Sequence, residues 1–311
     1  MPSATEIKEQ LAHETHLRAR LAVPAFAGGF LYLLSAIITS ETLNGAPTVG
    51  LLQGLGPALS GVANPAVSPR TPEVEFVSHH AFALIAGSAL AAISLGALTL
   101  VLLALLDATR FRRPATWPAA RALLIVGGVG LALVSLGHQI ASAIETHNFV
   151  TGHDHSNHAV EQALSAGTAN AVAEVVDLFA GLALAAGMIA TMINALRVGL
   201  LPRWMAFVGM FAALIIFLPI FGAELQVVPA FWLVMMGILF VGRWPKGDPP
   251  AWAAGEARPW PSQAQLRAEA GGGGRLSPSP AAAGATPAPA PAAPAGEASS
   301  RRRRRKRSGR S

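Results

Sequence analysis

Residues 81–106, AFALIAGSALAAISLGALTLVLLALL, run for 26 positions without a charged side chain. A soluble core helix keeps a polar face, whereas a bilayer core about 30 Å thick asks for about 20 consecutive apolar residues. Five more apolar runs accompany this one. The spans are expected at about 21–41, 81–106, 117–143, 168–196, 204–222 and 226–242. The reading is all-α: an integral membrane bundle of six transmembrane helices, because backbone polar groups in lipid must be satisfied within the segment.

Charge orients the bundle. Lys and Arg fall 22 on one side of the six spans and one, Arg70, on the other. The positive-inside rule then makes both termini cytoplasmic. Trp117, Trp204 and Trp244 stand at the cytoplasmic span ends, where amphipathic rings favour the interface, and Trp232 is deeper in span six. The charged arm of residues 1–20 is long for a secretory signal, so span one is read as an uncleaved anchor. Arg outnumbers Lys twenty to three, and Ala, Gly and Pro are abundant. That bias points to a bacterial coding sequence and to the bacterial cytoplasmic membrane.

The chain divides into a cytoplasmic arm (1–20), a transmembrane domain (21–245) and a tail (246–311). The tail is rich in Pro, Ala and Gly and is expected to be disordered, since it cannot bury enough apolar surface to fold. It ends in RRRRRKRSGRS. Arg301, Arg302, Arg303, Arg304, Arg305, Lys306 and Arg307 make a polybasic run suited to anionic lipid headgroups, at about 1 kcal/mol per basic residue near the surface. A topology anchor is the simpler alternative. Nucleic acid is disfavoured, because no aromatic side chains interleave the arginines. The lipid bilayer is the one partner expected throughout, and the oligomeric state is open.

Cysteine is absent, which removes disulfides, thiolate catalysis and thiolate-held metal. No HExxH or GxSxG occurs, so the chain is read as non-enzymatic and without a cofactor. Two polar groups stand out. Ser135, His138, Ser142 and Glu145 share one helical face of span three, and Asn170, Glu174, Asp177 and Gly181 share one face of span four. At about 1.5 Å per residue from the cytoplasmic ends, His138 lies roughly 25 Å up and Asp177 roughly 30 Å up, with Glu145 and Glu174 beyond. Packing of spans three and four would gather His138, Ser142, Glu145, Glu174 and Asp177 into a polar vestibule near the outer boundary. The bland alternative is that these side chains hold helices together.

The second group is the loop GHDHSNH (152–158). His153, Asp154, His155 and His158 carry nitrogen and oxygen donors for a divalent metal such as zinc, copper or nickel, provided the loop folds around the ion. The alternative is a solvated turn with Asp154 or Asn157 capping the next helix. Residues 51–65 read as a surface loop or a short interfacial or re-entrant helix. Small-xxx-small pairs at Gly87/Ala91, Gly181/Ala185 and Gly209/Ala213 mark close helix contacts.

The stretch ALRVGLLPRWMAFVGMFAALIIFLP (195–219), with the last span ending in GRW, resembles an uncharacterised family of multi-pass actinobacterial membrane proteins. In that family a helix, a short basic LPRW turn and an apolar helix close the domain. Residues 65–87, PAVSPRTPEVEFVSHHAFALIAG, are similar to sequences of the same bacteria. The resemblance implies fold and lineage, and carries no activity or catalytic residues. Two functional expectations follow: a membrane component without enzymatic activity, or a small-solute or divalent-metal transporter or sensor using the His/Asp/Glu cluster.

Overall fold

The structure, a computed structural model, describes residues 4–61, 67–165, 167–218, 223–245 and 247–260. Among these residues there is no β-ladder, and ten α-helices run in the order α1 (Ala4–Asn44), α2 (Leu51–Leu59), α3 (Thr71–His79), α4 (Ala81–Arg112), α5 (Ala120–Thr151), α6 (Asn157–Ser165), α7 (Gly167–Val198), α8 (Arg203–Phe217), α9 (Val227–Phe240) and α10 (Pro250–Ala254). A 3-10 turn, Ala223–Gln226, leads into α9.

Four helices are long and apolar enough to cross a membrane: Thr5–Asn44, Ala81–Arg112, Ala120–Thr151 and Val172–Val198. Their outward faces expose Val23, Phe30, Ile37, Ile93, Val126, Leu133 and Phe179, side chains that lipid solvates and water does not. The remaining two apolar helices are shorter. With 15 and 14 residues, α8 and α9 reach about 22 Å, less than a bilayer core. Within the expected span 204–222, α8 ends at Phe217, and residues 219–222 lie outside the described residues. Leu218 leaves the helix at φ −112°, ψ 86°, as the residue before Pro219 must, because the proline ring clashes with an α-helical predecessor.

Other boundaries move outward. The arm 1–20 is not separate: from residue 4 it is the first half of α1, which continues through Pro24. Span three runs on to Thr151, and α6 occupies part of the expected loop 144–167. Of residues 51–65, Leu51–Leu59 form α2, and 62–66 lie outside the described residues.

Packing is tightest where glycines face backbone or short side chains. α1 packs between α4 and α9, and α5 between α4 and α7. A Cβ on Gly28 would stand 2.7 Å from Ala97 Cβ, and one on Gly29 2.7 Å from Val234 Cγ2. At α5 the contacts are closer still: Gly127 faces the backbone of Leu184 and Gly128 the hydroxyl of Thr99. Of the small-residue pairs singled out above, Gly87 meets Thr39 and Gly209 meets Met192 and Trp232, whereas Gly181 has only ordinary contact with Phe217.

The dry core fills one half of the bundle. Leu98, Leu102, Leu105 and Leu106 of α4 meet Leu124, Leu184, Met188, Met192, Met205 and Trp232, all fully or almost fully buried. Trp232 is held by its indole N–H, which donates to Met205 O at 3.2 Å.

Below that core, at the arginine-rich end, a clasp closes the bundle. Arg112 is completely buried and Glu14 nearly so. All five guanidinium N–H donors are used. Nη1 and Nη2 hold the two Glu14 oxygens at 2.6 and 2.7 Å, Nη1 also donates to Ala108 O, and Nε and Nη2 donate to Ala251 O at 3.2 and 3.0 Å. Trp252 lies under two cations, with Arg18 Cζ 4.7 Å and Arg112 Cζ 5.5 Å from its ring centre. Arg18 in turn donates to Leu239 O and Asp248.

The segment that supplies Ala251 and Trp252 was expected to be disordered tail. The compact unit instead extends to Trp260, and residues 247–260 lie as a strap across the end of the bundle. Indole N–H groups of Trp252 and Trp260 donate to Leu200 O and Leu201 O, and the Arg258 amide donates to Val198 O. Val198 ends α7, and Leu200 and Leu201 follow in the turn that Gly199 opens, left-handed at φ +81°. Glycine is doubly required there, because a Cβ would also strike Arg258 O. Residues 261–311, including Arg301 to Arg307, lie outside the described residues.

Two mutational outcomes follow. Gly127→Ala should lose about 1–3 kcal/mol in detergent unfolding, because a methyl group there forces two backbones apart. Gly137→Ala, whose Cβ meets open space, should be neutral or slightly stabilising. Equal losses at both sites would sink the packing argument. Arg112→Met should cost about 3–5 kcal/mol by stranding the buried Glu14 carboxylate, and adding Glu14→Leu should restore most of it.

Candidate functional site: a polar cavity between five helices

The half of the bundle opposite the clasp is hollow. A cavity of about 480 Å³ opens between α4, α5, α7 and the end of α8. Ser88, Ser135, His138, Gln139, Glu174 and Asp177 supply its polar lining, and Leu131, Gly181, Ile216 and Phe217 part of the apolar wall. A second cavity, about 290 Å³, adjoins it toward α1. The two share Ser88, Leu131, Ser135, Asp177 and Ile216, and the second adds Tyr32, Ser35, Thr39 and Gln226.

Helix periodicity explains the convergence. His138 and Ser135 sit one turn apart on α5, Glu174 and Asp177 one turn apart on α7, and these two helices pack along their length. The glycine contact at Gly127 holds them closest toward the core, and Gly181 beside Phe217 leaves space where a larger residue would fill it. His138 and Asp177 are half-buried and Glu174 is exposed. His138 and Asp177 face one cavity, with no hydrogen bond between them among the described residues.

The expected vestibule is therefore gathered in part. His138, Glu174 and Asp177 meet. Ser142 and Glu145 do not line this cavity, because α5 carries them one and two turns farther from its centre. Ser142 offers its carbonyl to the Thr146 hydroxyl at 2.9 Å. Glu145 lines a separate, open cavity of about 260 Å³ with Asn148, His153 and Asp154. The side chain of Asn170 lies outside the described residues.

The histidine loop is dispersed by its own local structure. His155 O accepts the Ser68 amide at 2.8 Å, a bridge that ties the loop to the segment before α3. Its ring packs edge-on against Phe149, with Nδ1 buried and unpartnered. His153 faces the Glu145 cavity, and His158 is exposed on α6. Asp154 accepts the Ser156 amide at 2.9 Å, so it acts as the turn-forming residue. That backbone bond, then the Ser156 hydroxyl, holds its carboxyl below the usual carboxylate range, with smaller help from His158 and His155. Among the described residues no three His, Asp or Glu side chains converge to hold a metal ion.

Several lining residues escaped the sequence reading. Tyr32, Ser35 and Thr39 recur at i, i+3 and i+7, so they share a face of α1. That polar stripe in an apolar helix was a readable signal. Ser88, Gln139 and Gln226 carry no pattern, and only the packing brings them to the cavity.

The Asp154 turn makes a pH prediction. An unfolded aspartate titrates near 3.9, and the folded carboxyl titrates lower. The charged form therefore stabilises the turn fully above about pH 4 and loses that contribution as pH falls through the folded value. Amide-exchange protection at Ser156 should follow this acid limb, and in Asp154→Ala it should be weak at every pH. Protection indifferent to Asp154→Ala would remove the turn-forming role.

No protein-family model matches the chain, and no curated protein or solved structure is similar to it.

Proposed function

We propose that this chain is a multi-pass membrane protein, without enzymatic activity of its own, that binds a small positively charged solute in a pocket open to the outer side. The observation that carries the reading is the composition of the larger cavity. Among the described lining residues two carboxylates, Glu174 and Asp177, face one imidazole, His138, and none is Lys or Arg. Its field favours a cation, and the Ser88, Ser135 and Gln139 side chains add neutral hydrogen-bonding capacity. Its volume suits an organic amine.

Topology belongs to the same proposal. Six crossings, with α8 and α9 as the last two, put both termini on the arginine-rich side. By the positive-inside rule that side is the cytoplasm of a bacterial cell. The clasp then faces the cytoplasm and the cavity faces out. The polybasic run Arg301–Arg307 emerges on the cytoplasmic side, where anionic headgroups are its natural counterions.

Equilibrium binding tests the pocket. The full chain in lipid nanodiscs is titrated with phenylethylammonium and with its neutral isostere phenylpropanol. The ammonium should bind and the alcohol should not. Glu174→Gln should weaken ammonium binding by about tenfold or more, the scale of one hydrogen bond to a charged group. Equal affinity for the two probes, or none for either, would overturn the reading.

A further inference from the structure

Hydroxyl groups inside an apolar bundle normally satisfy themselves. Thr99, Thr109, Thr146 and Thr191 each donate to the carbonyl four residues back on their own helix, at 2.7–2.9 Å. Ser94 donates across to Gly28 O at 2.7 Å. This is the expected behaviour where no water is at hand.

The smaller cavity departs from that rule. Tyr32, Ser35, Thr39, Ser88 and Ser135 come from three different helices, and none of their hydroxyls makes a hydrogen bond among the described residues. Ser35 is 7% exposed, yet its hydroxyl takes no carbonyl of its own helix. The amide of Gln226 joins the same wall. Among the described lining residues one charged group faces this ring of oxygens, the Asp177 carboxylate, and none is Lys, Arg or His.

We infer that the smaller cavity is a binding site for a hydrated alkali cation of the sodium class, with Asp177 as its anionic ligand and the hydroxyls as neutral oxygen donors. Oxygen donors select hard cations over the softer transition metals that prefer imidazole or thiolate. A single carboxylate balances one positive charge, whereas tight divalent sites gather several. The chamber, at about 290 Å³, is larger than a bare ion and keeps part of its hydration shell. Weak, millimolar binding follows. Asp177 also borders the solute pocket, so the ion and the solute meet at one carboxylate. The inference rests on the solute-pocket reading for its route in from outside, through the larger cavity.

Thermal unfolding of the full chain in nanodiscs at fixed pH and rising NaCl tests it, with the site variants as the reference for a general salt effect. Tm should rise with NaCl on the order of 3 °C at saturation, beyond the general salt effect seen in the site variants. Asp177→Asn should abolish the sodium-dependent rise. Ser88→Ala with Ser135→Ala should shift its midpoint to higher salt. The paired Ser variant keeps the test decisive where Asp177→Asn does not fold. No rise of Tm with NaCl, or a sodium response unchanged in both the Asp177 and the paired Ser variants, would overturn the proposal. A sodium response alongside failed ammonium binding would overturn the solute reading alone.

Discussion

A polar group at membrane depth must find a partner, and nearly everything in this structure follows from how each group finds one. Backbone groups find it within helices. Buried threonines find it four residues back on the same helix. Arg112, the most demanding side chain in the bundle, spends five donors on one carboxylate and two carbonyls. The hydroxyls of Tyr32, Ser35, Thr39, Ser88 and Ser135 find none among the described residues, and they border one hollow. A cavity wall of such hydroxyls beside the Asp177 carboxylate is where the rule leaves room for a partner from outside the chain.

The bundle therefore has two halves of different character. Near the clasp, leucine, methionine and Trp232 fill the interior, and glycines let α1, α4, α5 and α7 approach to backbone contact. At the other end α8 stops at Phe217, and its last two residues become cavity wall. The strap of residues 247–260 ties α1, α4 and the end of α7 together through Arg112, Trp252 and Trp260. A dry base on one side and a cavity on the other keep the cavity-facing side chains on helices rather than on loops.

Much of this was legible in the residues. Four of the apolar runs became helices long enough to cross a membrane, and the faces of Ser135/His138 and Glu174/Asp177 were readable at helical spacing. Pro219 announced the early end of α8 and was passed over. The tail boundary failed for a different reason. Residues 247–260 have the Pro- and Gly-rich composition of a linker, but two tryptophans and one arginine find carbonyls at the end of α7. Composition averages over those three residues, and the hydrogen bonds do not. The spacing of the histidine loop allowed convergence, yet among the described residues no three donor side chains gather there, and His155 O accepts the Ser68 amide.

The sequence by itself determined the helical class and which residues share a helix face, because both depend on local periodicity and on the cost of baring backbone to lipid. It could also show that Tyr32, Ser35 and Thr39 form a stripe. Only the tertiary structure decided that this stripe meets Ser88, Ser135 and Asp177 around one chamber, that Glu145 is left out, and that Arg112 finds Glu14 and Ala251. Those meetings depend on helix crossing and on glycine contacts between segments far apart in the chain, which no local pattern encodes.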